Sequence, residues 1–398
     1  MSVHVNNNFP DLLMGRGAAK EIGEILKKAG HKHVFLVHGP NIPKSTIEKV
    51  VGYVTAAGLK CSTFGGMEPE VPDTCVYAGV EAARAAGDID VLLGVGGGST
   101  MDGTKILNLM IHNPGPLSQY FVRNGMGNPQ NPGLPIYLIV TVAGTGSEVD
   151  AAAVCVDTLE DNMKNPMGCK LCFWPTLSIT DPELYTTLPA DYTASSGFDA
   201  FCHSYEAYTG MTALQSPLSD RYALDAMSIL IEYLPKAVND LENVEYREQV
   251  ALGATMGGMA TELARNHSGH AVVHAIGSAC HAPHGVCAAS VEAFMAEYIT
   301  PVRRERNRKV LSLFGVETPA DISNEELGAK LRDAMLDFCK TIRVKKLKDF
   351  GITREQVMNA APYAFNDRIT HRFAAEGRDL DMDAIVTMLG KIADEAGL

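Results

Sequence analysis

The segment DVLLGVGGGSTMDGTKILNLMI (90–111) contains an apolar run, a glycine-rich turn and a helical pattern in immediate succession. The run VLLGV is typical of a strand that is covered on both faces. Gly96, Gly97 and Gly98 let the backbone approach a ligand closely, and the free amides at the start of the helix favour an anion such as a pyrophosphate. The segment does not match GxGxxG, and it is also compatible with a tight strand-to-helix turn that binds nothing.

The same alternation extends through the first half of the chain. Short β-rich runs, among them HVFLVHG (33–39), KCSTFGG (60–66) and PIYLIVTVAG (135–144), alternate with helical patterns that Gly58 and Gly87 terminate. Strands that alternate with helices of this length are typical of βαβ units, so the pattern predicts an α/β domain with a parallel sheet.

The hydrophobic pattern of the sequence changes near residue 182. Beyond this point the chain shows long helical periodicities, such as DRYALDAMSILIEYLPKAV (220–238), and almost no strand pattern. A chain of 398 residues is also too long for one ordinary core. We therefore predict a Rossmann-like α/β domain at 1–185 and an all-α domain at 186–398, with the cleft between them as the default location of an active site.

Composition excludes several classes of partner. The net charge of −13 argues against nucleic acid and anionic membranes, which require a basic surface. No apolar run is long enough to span a bilayer, and the polar N-terminus carries no secretory pattern. The nine cysteines have no framework spacing, and the lone CxxC of Cys169 and Cys172 lacks a second pair, so zinc-ribbon binding is disfavoured. We expect a reduced, cytoplasmic homodimer or larger homo-oligomer that acts on a small molecule.

A second glycine turn follows the next predicted strand. The segment TVAGTGSEVD (141–150) contains two glycines and the hydroxyls of Thr141, Thr145 and Ser147. The carboxyl ends of neighbouring parallel strands meet at one edge of a sheet, where cofactors bind. Two polar glycine turns at successive strand ends therefore favour a dinucleotide, NAD or NADP, as the cofactor.

Polar side chains in the helical half are candidates for metal binding. Asp199 and His203 are four residues apart on a predicted helix, so they share a face about 6 Å apart along the axis and can reach one divalent ion. A surface ion pair is the alternative interpretation of this spacing.

Five of the twelve histidines fall within NHSGHAVVHAIGSACHAPHG (266–285). His267, His270 and His274 have the spacing of one helical stripe. His284 would lie about 21 Å from His270 on a continuous helix, so it can share a metal only if the helix ends before it. One carboxylate and three imidazoles suit Fe(II) or Zn(II).

Five motifs in this order resemble the iron-dependent (group III) alcohol dehydrogenase family over essentially the whole chain. They are FPDLLMGRGA, GGGSTMDGTK, TVAGTGSEV, TDPELYTTLPADYTASSGFDAFCHSYEAY and HAVVHAIGSACHAPHG. The resemblance implies an N-terminal dinucleotide-binding domain, a C-terminal metal-binding domain, and oxidation of alcohols or reduction of aldehydes with NAD(P).

The resemblance also implies roles for individual residues. The implied metal ligands are Asp199, His203, His270 and His284. The implied contacts to the dinucleotide are Gly97, Gly98, Ser99, Asp102, Thr141, Val142 and Thr145. Lys164, with Lys170 as a second choice, matches a lysine that touches the ribose. His274 matches a histidine beside the nicotinamide and is the candidate proton carrier.

The sequence departs from the family pattern near the cofactor. Gly39 stands where NAD-preferring relatives carry an acidic residue, which makes NADP(H) possible, although no arginine adjoins it to hold the additional phosphate. Glu70 stands where many relatives have asparagine and can alter the rim of the cofactor site.

A third departure precedes the first metal histidine, where relatives have a small, apolar segment. Arg265, Asn266 and His267 occupy it here, and arginine and imidazole suit anionic oxygens. We therefore expect these three residues to bind a short aldehyde with an anionic tail, of the sulfoacetaldehyde, phosphonoacetaldehyde or succinic semialdehyde type. Solvent exposure of Arg265 and simple hydrogen bonding of His267 are the alternative.

Three other functions remain open at this stage. The first is a dehydrogenase of short neutral alcohols or diols, of the 1,3-propanediol or lactaldehyde type. The second is a zinc-dependent lyase or a glycerol-dehydrogenase-like enzyme on a similar scaffold, which the spacing of Asp199 and His203 disfavours. The third is a binding protein without turnover, which the presence of His274 disfavours.

Overall fold

A computed structural model describes residues 9–160, 162–210, 213–367 and 369–398. The polar N-terminus, from which no secretory signal is predicted, lies up to Asn8 outside these ranges. Contacts divide the chain into two compact units. The first contains the described residues up to 188 together with 242–251, and the second contains the remainder. The predicted division at 185 does not anticipate the segment 242–251.

The first unit is built on a six-stranded parallel sheet in the order β1-β8-β5-β4-β2-β3, and β6 and β7 form a separate antiparallel pair. The strands are β1 (Asp11–Met14), β2 (His33–His38), β3 (Lys60–Phe64), β4 (Val91–Gly96), β5 (Ile136–Val140), β6 (Ala152–Asp157), β7 (Met163–Gly168) and β8 (Leu177–Thr180).

Both faces of the parallel sheet are buried. Phe35 and Val37 of β2 belong to a core on one face, whereas Val34 and Leu36 belong to a core on the opposite face. Successive side chains of a strand point to opposite faces, so a strand covered on both sides must be apolar throughout. Burial of both faces of the sheet therefore explains the continuous apolar runs of the sequence.

Helices α1 to α5 belong to the first unit: α1 (Ile22–Lys28), α2 (Lys44–Ala56), α3 (Asp73–Ala86), α4 (Gly98–His112) and α5 (Lys170–Phe173). Gly58 and Gly87, which follow α2 and α3, have φ angles of +86° and +88°. Glycine tolerates this left-handed region, which explains why it terminates these helices.

The strand order creates a topological switch point between β2 and β4. The chain passes from β2 outward to β3 and then returns to β4 on the other side of β2. In open α/β sheets, ligands bind outside the carboxyl ends of the strands at such a point. Gly39 directly follows β2 and Gly97 directly follows β4, so both flank it.

The second unit is helical in its described residues. Its helices are α6 (Ala190–Thr209), α7 (Pro217–Asn239), α8 (Val244–Ala264, of which the part up to 251 groups with the first unit), α9 (Ser268–Cys280), α10 (His284–Leu313), α11 (Asn324–Thr341), α12 (Arg354–Met358), α13 (Ala361–Asn366) and α14 (Met382–Ala396). No helix among the described residues has the length and apolar character that crossing a membrane requires.

Helix α6 lies in the core of the second unit. Its side chains are buried almost all round from Thr193 to Thr209, and Phe198 and Phe201 pack against Phe338 of α11. A helix buried on every face holds its side chains in fixed positions. The parallel-sheet domain followed by a helical domain confirms the predicted fold class, whereas β1, β8 and the β6–β7 pair are not anticipated by the sequence pattern.

Candidate active site

The two glycine turns contact each other at the edge of the sheet. A Cβ atom on Gly97 would lie 3.1 Å from Cβ of Val142, and one on Gly98 would lie 2.4 Å from Cγ2 of Thr145. The amide of Thr141 donates a hydrogen bond to the Gly96 carbonyl at 2.9 Å. The structure therefore brings both predicted turns together, and position 98 has no room for a side chain.

Gly39 is also enclosed. A Cβ atom at this position would lie 3.1 Å from the carbonyl oxygen of Met67 and 3.5 Å from Oγ1 of Thr100. A larger side chain at residue 39 would require its neighbours to move. The tight packing around residue 39 therefore disfavours a carboxylate side chain at this position.

Glu70 connects Lys164 to the first glycine turn. Its ammonium is 2.8 Å from Oε1 of Glu70, and the amide of Glu70 donates to the hydroxyl of Ser99 at 3.0 Å. Lys170 instead lies over the ring of Trp174, with its ammonium 4.7 Å from the ring centroid. Of the two lysines, Lys164 is the one near the residues predicted to bind the cofactor, and Glu70 is the residue that positions it.

Asp102 has both carboxylate oxygens engaged by the protein. The hydroxyl of Ser147 donates to one at 2.6 Å, and the amide of Val154 donates to the other at 2.9 Å. Burial raises the pKa of Asp102 to about 6. Asp102 therefore fastens the beginning of α4 to the second glycine turn, and its contact with the cofactor stays a prediction.

Lys105 also links α4 to the second glycine turn. The sequence did not single out this residue. Its side chain is fully buried, and its ammonium lies 2.6 Å from Oδ1 of Asp150 and 2.6 Å from the carbonyl of Ser147. It also donates to the hydroxyl of Ser147 and to the carbonyl of Ala152. A buried ammonium requires such a complete set of acceptors, because an unpaired charge in the interior is strongly unfavourable.

We expect Lys105→Met to lower the free energy of unfolding by about 3–5 kcal/mol, since it leaves Asp150 without its partner. Urea unfolding, followed by circular dichroism, measures the change. The control is Lys60→Met at an exposed position, for which the expected change is below about 0.5 kcal/mol. Equal stability of the two variants would contradict the structural role of Lys105.

The four predicted metal ligands converge in the second unit. Asp199 and His203 project from α6, His270 from α9, and His284 is the first residue of α10. One ligand atom from each lies within 4.8 Å of the others. Oδ1 of Asp199 is 3.5 Å from Nε2 of His284 and 3.9 Å from Nε2 of His270.

The donor atoms of this cluster fit a metal ion. Among the described residues, Oδ1 of Asp199 and Nε2 of His270 are buried and have no hydrogen-bond partner. Burial, and then the neighbouring His203, holds the pKa of His270 well below its ordinary value, so its imidazole is neutral with a lone pair available. Buried polar atoms without partners are costly, and a metal ion would remove that cost.

The helix break required by His284 is present. Helix α9 ends at Cys280, His281 has a left-handed φ of +52°, and α10 begins at His284 after Pro283. The reversal brings His284 beside His270, with ring centroids 5.5 Å apart. The side chain of His284 is 27% exposed, compared with 2% for His270, so the cluster opens towards solvent at His284.

A buried carboxylate lies behind the metal cluster. Oε1 of Glu206 is 2.8 Å from Nδ1 of His270, and its other oxygen accepts the amide of His267 at 2.7 Å. Carboxylates in this position fix the orientation of a ligating imidazole. Glu206 was not predicted, although it follows Asp199 and His203 at the helical spacing i, i+4, i+7, which is visible in the sequence.

Glu292 is the buried neighbour of Glu206. Burial raises the pKa of both carboxyls, and the charge of Glu206 raises the pKa of Glu292 further. Burial therefore disfavours a charge on either carboxyl of this pair. The pair lies against Gly269, where a Cβ atom would be 2.3 Å from Glu206 and 3.0 Å from Glu292, so only glycine fits there.

His274 lies next to the cluster without belonging to it. Its ring centroid is 5.8 Å from those of His270 and His284, and Nδ1 is 3.5 Å from Oδ2 of Asp367. Burial alone would raise the pKa of Asp367, but the hydrogen bond with His274 and the charges of His274 and Arg372 lower it. Asp367 thus stays ionised beside the imidazole, and no sequence signal pointed to it.

The three residues predicted to bind the substrate have different environments. His267 has no exposed surface: Nδ1 accepts the amide of Gly269 at 3.1 Å as the N-cap of α9, and Nε2 lies 3.2 Å from Oγ1 of Thr209. Both ring nitrogens thus have protein partners, which disfavours the predicted contact of His267 with the substrate. The placement of His267 inside a helical stripe is wrong, since it precedes the helix.

Arg265 is largely exposed and has a positive φ of +68°. Its guanidinium pairs with the buried carboxylate of Glu262 at 3.0 Å. Asn266 is partly buried, and its Oδ1 has no hydrogen-bond partner among the described residues. Substrate contacts of Arg265 and Asn266 stay predictions.

Comparison with known proteins identifies the family. The family described as "Iron-containing alcohol dehydrogenase" matches residues 10–182, and "Fe-containing alcohol dehydrogenase family, C-terminal" matches residues 193–391. The NAD-dependent methanol dehydrogenase of Bacillus methanolicus is 31% identical over 363 residues, which cover 91% of this chain and 93% of that protein.

Other relatives act on different compounds. The sulfoacetaldehyde reductase of Bilophila wadsworthia is 28% identical, with 91% of this chain and 92% of that protein covered. The crystal structure of a 1,3-propanediol oxidoreductase has a TM-score of 0.86 at 28% identity and covers 96% of this chain and 98% of its own. Both family descriptions match in chain order and the relatives are covered nearly end to end, so the resemblance seen in the sequence is confirmed. The chain belongs to the iron-containing alcohol dehydrogenase family, whose members are oxidoreductases acting on CH–OH groups.

Proposed function

We propose that the chain is a metal- and NAD(P)-dependent alcohol dehydrogenase that acts mainly as a reductase of a short aldehyde. The observation that carries the proposal is the convergence of one carboxylate and three imidazoles, with unpaired buried donor atoms, in the helical unit. The contacting glycine turns at the switch point of the sheet supply a place for a dinucleotide.

The clustered residues and the glycine turns have separate roles in this proposal. Asp199, His203, His270 and His284 would hold Fe(II) or Zn(II), and the glycine turns would hold the pyrophosphate. A metal held there would supply a Lewis acid for the oxygen of the alcohol or aldehyde, and a bound nicotinamide would supply or accept the hydride.

His274 handles the proton in this proposal. The ionised carboxylate of Asp367, 3.5 Å from Nδ1, favours the tautomer that carries its proton on Nδ1. Nε2 is then free to accept a proton from an alcohol, and the protonated ring can return it when an aldehyde is reduced. Asp367 acts through His274 as a positioning residue.

The environment of Arg265 favours an uncharged substrate. His267 is buried, and the charge of Arg265 is already paired with Glu262, so two of the three groups expected to attract an anion are unavailable. We therefore place short neutral aldehydes first and keep the anionic aldehydes as the alternative. Methanol and 1,3-propanediol in the names of relatives agree with small neutral substrates.

A panel of aldehydes tests the function. The protein is stripped with a chelator, reloaded with Fe(II) or Zn(II), and assayed with butanal, 3-hydroxypropanal and sulfoacetaldehyde, each with NADH and with NADPH. We expect metal-dependent oxidation of the reduced cofactor. Full turnover by verified metal-free protein, or no cofactor oxidation with any aldehyde, would contradict the proposal and favour a lyase or a binding protein.

Arg265→Ala distinguishes the two substrate classes. We expect KM to change by less than about fivefold, and equally for butanal and sulfoacetaldehyde, because the guanidinium of Arg265 is already paired with the buried carboxylate of Glu262. Steady-state kinetics on both aldehydes provides the measurement, with Arg221→Ala at an exposed ion pair of α7 as the control. A rise in KM confined to sulfoacetaldehyde would establish the anionic alternative.

A further inference from the structure

Two cysteines outside both candidate sites lie at a helical turn. The segment GCKLCF (168–173) places Cys169 directly before α5 and Cys172 within it. The carbonyl of Cys169 accepts the amides of Cys172 at 3.3 Å and Phe173 at 2.8 Å, so the turn is closed. Side chains three residues apart on such a turn are about 5–6 Å apart at Cβ, and modest adjustment brings the sulfur atoms to bonding distance.

The side chain of Cys172 is held in place next to Cys169 by buried partners. Its thiol donates to the carbonyl of Asn131 at 3.4 Å, and its sulfur accepts from Nδ2 of Asn113 at 3.7 Å. Cys172 is also near enough to Cys169 to lower the pKa of that thiol.

The two cysteines differ in accessibility. Cys169 is partly exposed and lies beside the exposed Lys170 and Leu171, whereas Cys172 is 2% exposed. A reagent in solution can therefore reach Cys169 first. Cys172 can react only with a group that is already attached to Cys169.

We propose that Cys169 and Cys172 form a reversible dithiol–disulfide site that reacts with small soluble disulfides. The site is independent of the proposed dehydrogenase function.

The reaction has two steps that balance. The Cys169 thiolate attacks one sulfur of a small disulfide, forms a mixed disulfide and releases one thiolate, which takes a proton from solvent. Cys172 then loses its proton and attacks Sγ of Cys169, forming the internal disulfide and releasing the second small thiol. Two protein thiols are oxidised to one disulfide, and one small disulfide is reduced to two thiols.

Electrostatics agrees with this order of attack. The neighbouring Cys172 side chain, together with the backbone amides of Cys172 and Leu171, lowers the pKa of Cys169 to about 6 despite partial burial. The contact with Cys169, and then burial, raises the pKa of Cys172. Burial raises the pKa of Cys61 to about 11, although Cys61 is also partly exposed. Cys169 is therefore a thiolate at neutral pH, which is the reactive form.

Zinc binding does not explain the pair. A structural zinc site needs four ligands. Within the described ranges, no third histidine, cysteine, aspartate or glutamate joins the two thiols in a cluster.

The test uses the reduced, full-length protein and oxidised glutathione. Peptide mapping without reductant should show a disulfide joining Cys169 to Cys172, and dithiothreitol should reverse it. Trp174, the only tryptophan, follows Cys172 by two residues, so its fluorescence should change in step. Cys172→Ser should stop at a stable glutathione adduct on Cys169, and Cys169→Ser should form neither product.

Alkylation measures the reactivity of the free thiols. At pH 7, iodoacetamide should modify Cys169 tens of times faster than Cys61. A much larger fraction of Cys169 is thiolate, although a thiolate of lower pKa is intrinsically less nucleophilic, which reduces the difference in rate. The rate at Cys169 should rise through pH 6 and then level off. The control variant Cys61→Ser should behave like the wild type in every assay.

Three results would overturn the proposal. They are absence of the internal disulfide in the wild type, a glutathione adduct that persists on Cys169 while Cys172 is present, and reaction of Cys61 as fast as Cys169. Protection of both thiols by added Zn²⁺ at stoichiometric concentration, without disulfide formation, would replace it with a metal site.

Discussion

Replacing His270 with alanine is expected to abolish both metal retention and turnover. His270 supplies a neutral, 2% exposed imidazole at the centre of the cluster, next to Asp199, His203 and His284. The three remaining groups would leave the ion without a ligand at its most enclosed side. Structural and catalytic metal sites need the correct number of ligands, so we expect loss of stoichiometric metal and activity at background.

Elemental analysis after dialysis, combined with the aldehyde assay, measures this result. The matched control is His281→Asn in the same segment, because asparagine tolerates the left-handed φ of +52°. The control should retain metal and activity. A His270→Ala protein that keeps one equivalent of metal and the wild-type rate would remove His270 from the metal site.

Replacing His274 with alanine is expected to lower kcat by about 10²- to 10⁴-fold, the usual contribution of a positioned proton carrier. Metal content should stay unchanged, since His274 is not one of the four clustered ligands. KM should change little, because the group acts on the proton rather than on ground-state binding.

Three measurements separate this role from a structural one. Added imidazole should restore part of the rate of His274→Ala, and His112→Ala should behave like the wild type. Asp367→Asn should give a smaller loss in kcat and shift the pH profile, since Asp367 holds the proton on Nδ1 of His274. A large rise in KM without loss of kcat would instead place His274 in substrate binding.

The parallel sheet could be predicted because its cause is local. Strands covered on both faces must be apolar throughout, and the alternating helices that cover them have recognisable lengths and glycine stops. Strands β1 and β8 and the β6–β7 pair were missed. Strands β1 and β8 have only four residues each, and β6 alternates buried and half-buried residues over only six positions.

The metal cluster was predictable in part. The spacing of Asp199 and His203 on one helix face is a local fact. That His270 and His284 join them depends on the chain reversal at His281, which the sequence allowed but did not require. The family resemblance, rather than spacing, selected these two histidines from the five in the segment.

The surroundings of His267 could not be predicted, and the reason is general. Composition shows that an imidazole is present, but only packing shows whether it faces a ligand or the protein interior. Here the backbone amide of Gly269 and the hydroxyl of Thr209 occupy both ring nitrogens. The same dependence on packing hid Lys105 and Asp367, whose partners lie 45 and 93 residues away in sequence.

The sequence by itself determined the order of the α/β and helical regions, the glycine turns and the family, because periodicity, strand chemistry and motif order are properties of contiguous residues. The tertiary structure decided which polar groups meet: the closure of four ligands, Glu206 behind His270, Asp367 beside His274, and Asn131 against the thiol of Cys172. These contacts depend on distances of a few ångströms between elements, and those distances are fixed by packing of the core rather than by local preference.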